Sequence, residues 1–208
     1  MSSIPNAAPE AVDEAAAPID GRALLEIIIA LAMLVLVARA VLQMHTVDDR
    51  SMAPTIEGGQ TLLLSRLTFQ LRTPQRGELV LVDEPSNADR QVMRRVIGLP
   101  GDVIELRGES TERGIGIEGI QVAVNGRPLI EPYVTALLQN NTVVTATARI
   151  ELGTDEFYVM NDNRAAQGDS RTWGPLRREQ LAGRALLTLL PLDALHVLDH
   201  DAVRVIGE

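Results

Sequence analysis

The sequence predicts an all-β domain carried on one N-terminal transmembrane helix. Three observations predict it. A long apolar run lies near the N-terminus, a series of short β-branched runs broken by Gly, Pro and Asp follows it, and residues after 47 show no sustained helical periodicity. The length, 208 residues, suits one moderate domain and a tether, and 46% hydrophobic residues can fill its core. With aromatics at only 2%, that core is aliphatic. All 19 basic residues are arginines, so the net charge of -9 is reached without a lysine. An acidic balance with no basic block argues against nucleic acid as a partner. Without cysteine there is neither a disulfide nor a thiolate site. His45, His196 and His200 are scattered with no zinc spacing, so no metal is expected.

Residues 1–22 form an acidic head rich in Ala, Pro and Ser, a composition expected to be disordered. Residues 23–44 are nearly all apolar, with Glu26 and Arg39 near the ends. At about 1.5 Å per residue this run spans about 33 Å, enough for a hydrocarbon core of roughly 30 Å. Its charge-free centre, Ile27 to Ala38, is short for an ideal span, and Arg39 and Glu26 are expected to snorkel to opposite interfaces. A cleavable signal peptide and a buried soluble helix compete with this reading. The head lacks a basic n-region and no small-x-small site follows the run, which argues against the first. Charge specifies orientation weakly, because only Arg22 flanks the amino end.

Residues 45–208 form the β domain. Strands are expected at Thr61–Leu64, Glu78–Val82, Val92–Ile97, Val103–Leu106, Gln121–Val124, Glu156–Met160 and Arg184–Leu190, the last stopped by Pro191. Asn125-Gly126 marks a tight turn. Only Arg177–Leu181 has a helical look, and no internal repeat is visible.

Three segments carry chemistry. Ser51-Met52-Ala53-Pro54-Thr55 places a serine in a polar turn, seven residues past the apolar run; alone it is an ordinary turn. Arg94-Arg95-Val96-Ile97-Gly98-Leu99-Pro100-Gly101-Asp102 runs a strand into a rigid turn. Asn161-Asp162-Asn163-Arg164 through Asp169-Ser170-Arg171-Thr172-Trp173-Gly174 alternates acids and arginines that can bridge and organise a loop.

In this order the segments resemble the bacterial type I signal peptidases, whose patterns are Ser-Met-x-Pro-Thr, Lys-Arg-x-x-Gly-x-Pro-Gly-Asp, and Gly-Asp-Asn-Arg followed by Asp-Ser-Arg-x-Trp-Gly. Val124-Asn125-Gly126-Arg127, Glu131-Pro132-Tyr133 and Gly183-Arg184-Ala185 leading to Pro191-Leu192 add to the likeness, which runs from the stalk to about Leu192. The resemblance implies a signal-peptidase-like β-barrel or sandwich on the extracytoplasmic face of the cytoplasmic membrane, anchored by a single pass. It implies a serine endopeptidase (leader peptidase, peptidase family S26) that cuts signal peptides from secreted precursor proteins after small-x-small sites. It implies no metal or organic cofactor, and the lipid bilayer and the precursors as partners. Carried over residue by residue, Ser51 is the nucleophile with its N–H as an oxyanion donor, and Arg95, Asp162, Asp169 and Arg171 structure the site by ion pairing. Tethering enzyme and precursor to one membrane raises their effective concentration.

The chain departs from this pattern at the base. The family's general-base lysine falls at Arg94, and arginine does not surrender its proton in proteins. Gln167 stands where the family has a serine that orients the lysine, and Asp49 where a serine or glycine serves the oxyanion. A carboxylate there opposes the charge of the transition state. Asn161 replaces the glycine of Gly-Asp-Asn-Arg, and Ala165 and Ala166 follow Arg164. Replacement of every lysine by drift explains the composition but should stop at an essential base. In an extended segment Asp49 and Ser51 share a face, so an Asp49–Arg94 pair flanking Ser51, with Asp49 as a weak substitute base, is one expectation. His45 is a second candidate base. The alternative is a catalytically impaired homologue that binds signal sequences or acts as a secretion accessory.

Overall fold

The computed structural model describes residues 20–108, 110–111, 114–115, 120–134, 146–198 and 203–206; residues 1–19 of the expected head lie outside them. Two units divide the chain, residues 1–38 and residues 39–208. In the first, the apolar run is helical: α1 covers Gly21–Val41, none of its residues is buried, and it is long and apolar enough to cross a bilayer. With none of its residues buried, it differs from the core helix of a soluble domain. The helix stops three residues short of the expected 44, because Leu42–Thr46 leaves it as strand β1 and pairs with β2 (Thr61–Ser65). An apolar stretch suits either state, and the ladder to β2 decides it.

The second unit is almost all β. After β2 come a single-turn helix α2 (Thr68–Leu71), then β3 (Leu79–Glu84), β4 (Asn87–Gly98) and β5 (Val103–Gly108). The pair β6 (Ser110–Thr111) and β7 (Gly114–Ile115) follows, with β8 (Gln121–Val124), β9 (Arg127–Ile130), β10 (Ala146–Glu151) and β11 (Glu156–Met160). The chain continues through helix α3 (Ser170–Trp173) to β12 (Leu176–Arg177), β13 (Leu181–Leu190), β14 (His196–Val197) and β15 (Arg204–Val205). The large sheet runs β1-β2-β13-β3-β4-β11-β12 with β14 on β13, and the smaller runs β10-β5-β8-β9-β15. Every pairing is antiparallel. The helical look of Arg177–Leu181 resolves into a short 3₁₀ turn, Arg178–Gln180, between two strands.

Three large apolar clusters, with a smaller fourth around Tyr133, Val134 and Val203, hold these layers. Leu79–Val82 is buried on both faces, as a central strand between β13 and β4 must be. Its alternation sends Leu79 and Leu81 into one core with Leu62, Leu64, Met93 and Ala185, and Val80 and Val82 into another with Val92, Val96, Phe157 and Leu176. A third cluster joins the end of β4 to the smaller sheet through Ile97, Ile104, Val122, Tyr158 and Met160. Gly98 marks this junction: a Cβ there would lie 2.6 Å from Leu152 Cδ1 and 2.7 Å from Ile104 Cδ1. The Gly98–Asp102 turn is locked by Asp102, which accepts from the Leu99 N–H at 2.7 Å and from Asn125 Nδ2 at 2.8 Å.

Candidate active site

The segment between β1 and β2 has to leave one edge of the large sheet and come back to it. Val47 N–H donates to the Gln60 carbonyl and Gly59 N–H to the Val47 carbonyl, closing the base of the loop. Met52 and Ile56 are fully buried in the first core, so the turn around Ser51 is pulled across the sheet towards β4 rather than left in solvent. Burying those two side chains stabilises the turn by roughly 1.5–3 kcal/mol each. Ser51 itself is 5% exposed. A second tie comes from the loop after β11: Asn163 N–H donates to the Ser51 carbonyl at 3.0 Å.

Residues 94 and 95 leave β4 on opposite faces, as neighbours on a strand do. Arg95 is paired with Asp162 through two hydrogen bonds, 2.8 Å from Nε and 2.5 Å from Nη2. Its guanidinium lies 4.1 Å from the Tyr133 ring centroid and donates to the Gly77 carbonyl. Tyr133 Oη donates to Glu131, which also pairs with buried Arg164. Asp169 caps α3 and accepts from the Asn161 N–H, while Arg171 holds the Asp169 carboxylate and the carbonyls of Arg164 and Ala166. These pairs fix the 161–169 loop because β11 runs beside β4, Met160 opposite Arg95.

Arg94 is held differently. Its Nη1 donates to Ser51 Oγ at 3.0 Å and to the Met93 carbonyl, and its Nε donates to the Gly168 carbonyl at 2.8 Å. Trp173 stacks at 5.3 Å from Cζ to ring centroid. No carboxylate among the described residues forms an ion pair with it. Burial pulls the guanidinium down to about 10, against the nearby charges of Asp49 and Asp169, which support it. Even so, the guanidinium keeps its proton at neutral pH. Gly168 sits at φ +80, a conformation that favours glycine, although a Cβ there would meet Arg94 Nη2 and Trp173 only at ordinary contact distance, 3.5 Å.

Asp49 completes the group. Its Oδ1 accepts the Ser51 N–H at 2.9 Å, and its Oδ2 lies 3.3 Å from Arg90 Nη2. Partial burial pushes the carboxyl up, but hydrogen bonding with the Ser51 hydroxyl and N–H, together with Arg94 and Arg90, holds it below the usual carboxylate value. Gln167, expected beside the base, is exposed; it offers its carbonyl to Asn161 Nδ2, and the neighbour that reaches Arg94 is the Gly168 carbonyl. His45 lies on β1 opposite Leu62, and its burial lowers it against the charges of Asp48 and Asp49. The sequence reading missed the Gly168 carbonyl, the Trp173 stack and Arg90; Trp173 alone carried a signal, as part of the third motif.

The arrangement presents one hydroxyl between a fixed cation and a carboxylate, which is chemistry for acyl transfer. Among the described residues, no cluster of three His, Asp or Glu is placed to hold a metal. A family model described as "Signal peptidase, peptidase S26" matches residues 21–190. "Probable signal peptidase I-2" of Synechocystis sp. is 29% identical over 183 residues, covering 86% of this chain and 75% of its own length. "Signal peptidase I V" of Bacillus subtilis is 28% identical over 167 residues, covering 75% of this chain and 90% of its own. A crystal structure of a signal peptidase I from Enterococcus faecalis V583 aligns with 54% of this chain and 97% of its own, at 22% identity and a TM-score of 0.41. With the family model spanning the apolar helix, all three motifs and the last long strand, the chain belongs to the signal peptidase family, peptidase S26.

Proposed function

We propose that this chain is a membrane-anchored serine endopeptidase that removes signal peptides from secreted precursor proteins after small-x-small sites, with Ser51 as the nucleophile. The observation that carries the reading is the Ser51 hydroxyl, buried and fixed between β4 and the 161–169 loop, in a member of this family. In this reading α1 spans the cytoplasmic membrane once, and residues 45–208 work on its extracytoplasmic face. Both reactants are then confined to one bilayer, and that confinement offsets much of the entropy of bringing them together. Arg95, Asp162, Asp169 and Arg171 hold the loop that backs Ser51, and Arg94 occupies the place of the family's lysine.

The full chain in lipid vesicles, given a precursor whose signal ends in Ala-x-Ala, is expected to yield the mature protein. Ser51→Ala is expected to abolish that product. One observation favours a second reading, a catalytically impaired homologue that binds signal sequences. The Ser51 N–H, an oxyanion donor in the family pattern, is engaged by the Asp49 carboxylate. Saturable binding of the precursor with no product at any pH would establish this second reading and end the first.

A further inference from the structure

We propose that Asp49 is the proton acceptor of Ser51 and that Arg94 is a permanently charged donor to the same oxygen, so that the duties of base and electrostatic support have changed sides of the nucleophile. The inference rests on the peptidase reading above and assigns the base that reading leaves open.

The geometry of one hydroxyl carries it. Ser51 Oγ accepts a hydrogen bond from Arg94 Nη1 at 3.0 Å, so a lone pair faces the guanidinium and the hydroxyl hydrogen points elsewhere. Arg94 has no means of taking that hydrogen: all its N–H groups are donors, and three of its bonds already go to Ser51, Met93 and Gly168. The carboxylate beside Ser51 is Asp49, whose Oδ1 accepts the Ser51 N–H at 2.9 Å and so lies against the same residue that carries the hydroxyl. Arg90, at 3.3 Å, holds the outer oxygen and is itself tied to Glu84 at 3.0 Å. His45 also faces Asp49 closely enough to feel its charge.

The step balances as follows. The Ser51 Oγ–H proton passes to an Asp49 carboxylate oxygen while Oγ bonds to the scissile carbonyl carbon and the carbonyl π pair moves to oxygen. Arg94 stabilises the alkoxide character of Oγ and the new oxyanion beside it. Protonated Asp49 is a poorer acceptor than the carboxylate, so its grip on the Ser51 N–H weakens at the moment an oxyanion forms to take that N–H. The Asp49 proton then goes to the departing amine nitrogen as the C–N bond breaks. Water repeats the sequence: Asp49 takes its proton, its oxygen attacks the acyl carbon, and the proton returns to Ser51 Oγ as the ester bond breaks. The carboxylate that closes the oxyanion site at rest opens it by doing its work.

The test measures kcat and KM between about pH 5 and 9 with the full chain in vesicles and an Ala-x-Ala precursor. Asp49→Asn is the decisive variant, because the amide oxygen still accepts the Ser51 N–H and preserves the turn; unchanged thermal melting verifies this. A His45→Asn chain separates the titration of that neighbour. Expected is a kcat that stays level across the range, since Asp49 is ionised throughout, and a fall of at least about 100-fold in Asp49→Asn with KM within about twofold. Cleavage by Asp49→Asn at the natural rate, with Ser51→Ala inactive, would overturn the assignment while the peptidase reading stands. A kcat that climbs tenfold per pH unit towards about 10 would also overturn it, because that limb belongs to deprotonation of Arg94. No cleavage by the natural chain overturns both.

Discussion

Two adjacent arginines of β4 have opposite fates. Arg95 is buried in a chain of partners, Asp162, Tyr133, Glu131 and Arg164, in which each charge faces an opposite one. Arg94 is as deeply buried, yet its bonds go to a hydroxyl and two carbonyls, and its charge is left uncompensated at contact distance. A paired cation in a low-dielectric interior is structural, because removing either partner strands a charge. An unpaired cation that touches the Ser51 hydroxyl is a source of electrostatic potential at that oxygen, where a functional role rather than packing accounts for it best. The contrast teaches which buried charge to associate with stability and which with rate.

Three experiments probe that division. The largest effect is expected from Arg95→Ala, which leaves Asp162 buried without its cation. Its loss is about 3–5 kcal/mol of stability, read by denaturation of the full chain in detergent. If the loss is below 1 kcal/mol, the network is not structural and the comparison fails. A smaller, pH-dependent effect is expected at Glu78, a second buried carboxylate, held by Arg72 and Arg184. Burial raises its carboxyl, but hydrogen bonds from Arg72 and the Gln75 N–H, with the charge of Arg184, hold it below its ordinary value. A depressed carboxylate stabilises the folded state above its unfolded pKa, and that contribution disappears as pH falls through the folded one. The natural chain should therefore lose stability below about pH 4.5 more steeply than Glu78→Gln; equal slopes in melting temperature against pH would remove Glu78 from the paired class. The smallest stability effect is expected from Arg94→Met. Loss of two carbonyl partners offsets relief of an unpaired charge, leaving melting within about 1 kcal/mol of the natural chain. Its kcat should fall at least tenfold; a stable variant with full activity would make Arg94 a bystander.

Much of this architecture is legible in the residues. All seven expected strands begin within one residue of an observed one or lie inside it, because runs such as Val103–Leu106 and Gln121–Val124 alternate or are β-branched throughout. The seventh, Arg184–Leu190, is the latter part of β13. Strand β1 was hidden, since Leu42–Thr46 continues the apolar run of α1 and only pairing with β2 distinguishes it. Strand β9 contains Pro128, which reads as a turn in sequence, yet β9 pairs with both β8 and β15 and the Pro128 carbonyl accepts from the Ile206 N–H. The site divides in the same manner. Ser51 and the two β4 arginines stand out by motif, whereas the Gly168 acceptor is a backbone carbonyl and leaves no mark in side-chain chemistry. Gln167 shows the cost of reading position alone: its neighbour makes the contact while its own side chain faces solvent.

The burial of Arg94 in a chain without lysine turns the molecule into its own reporter. Arg94→Lys would install the only ε-amine in the sequence, at a site 2% exposed and beside Ser51 Oγ. Acylation by an amine-directed reagent would then read that one position against pH, free of background from any other side chain. The pH at which the label begins to enter would be the direct measure of how far this pocket can strip a proton from a nitrogen base.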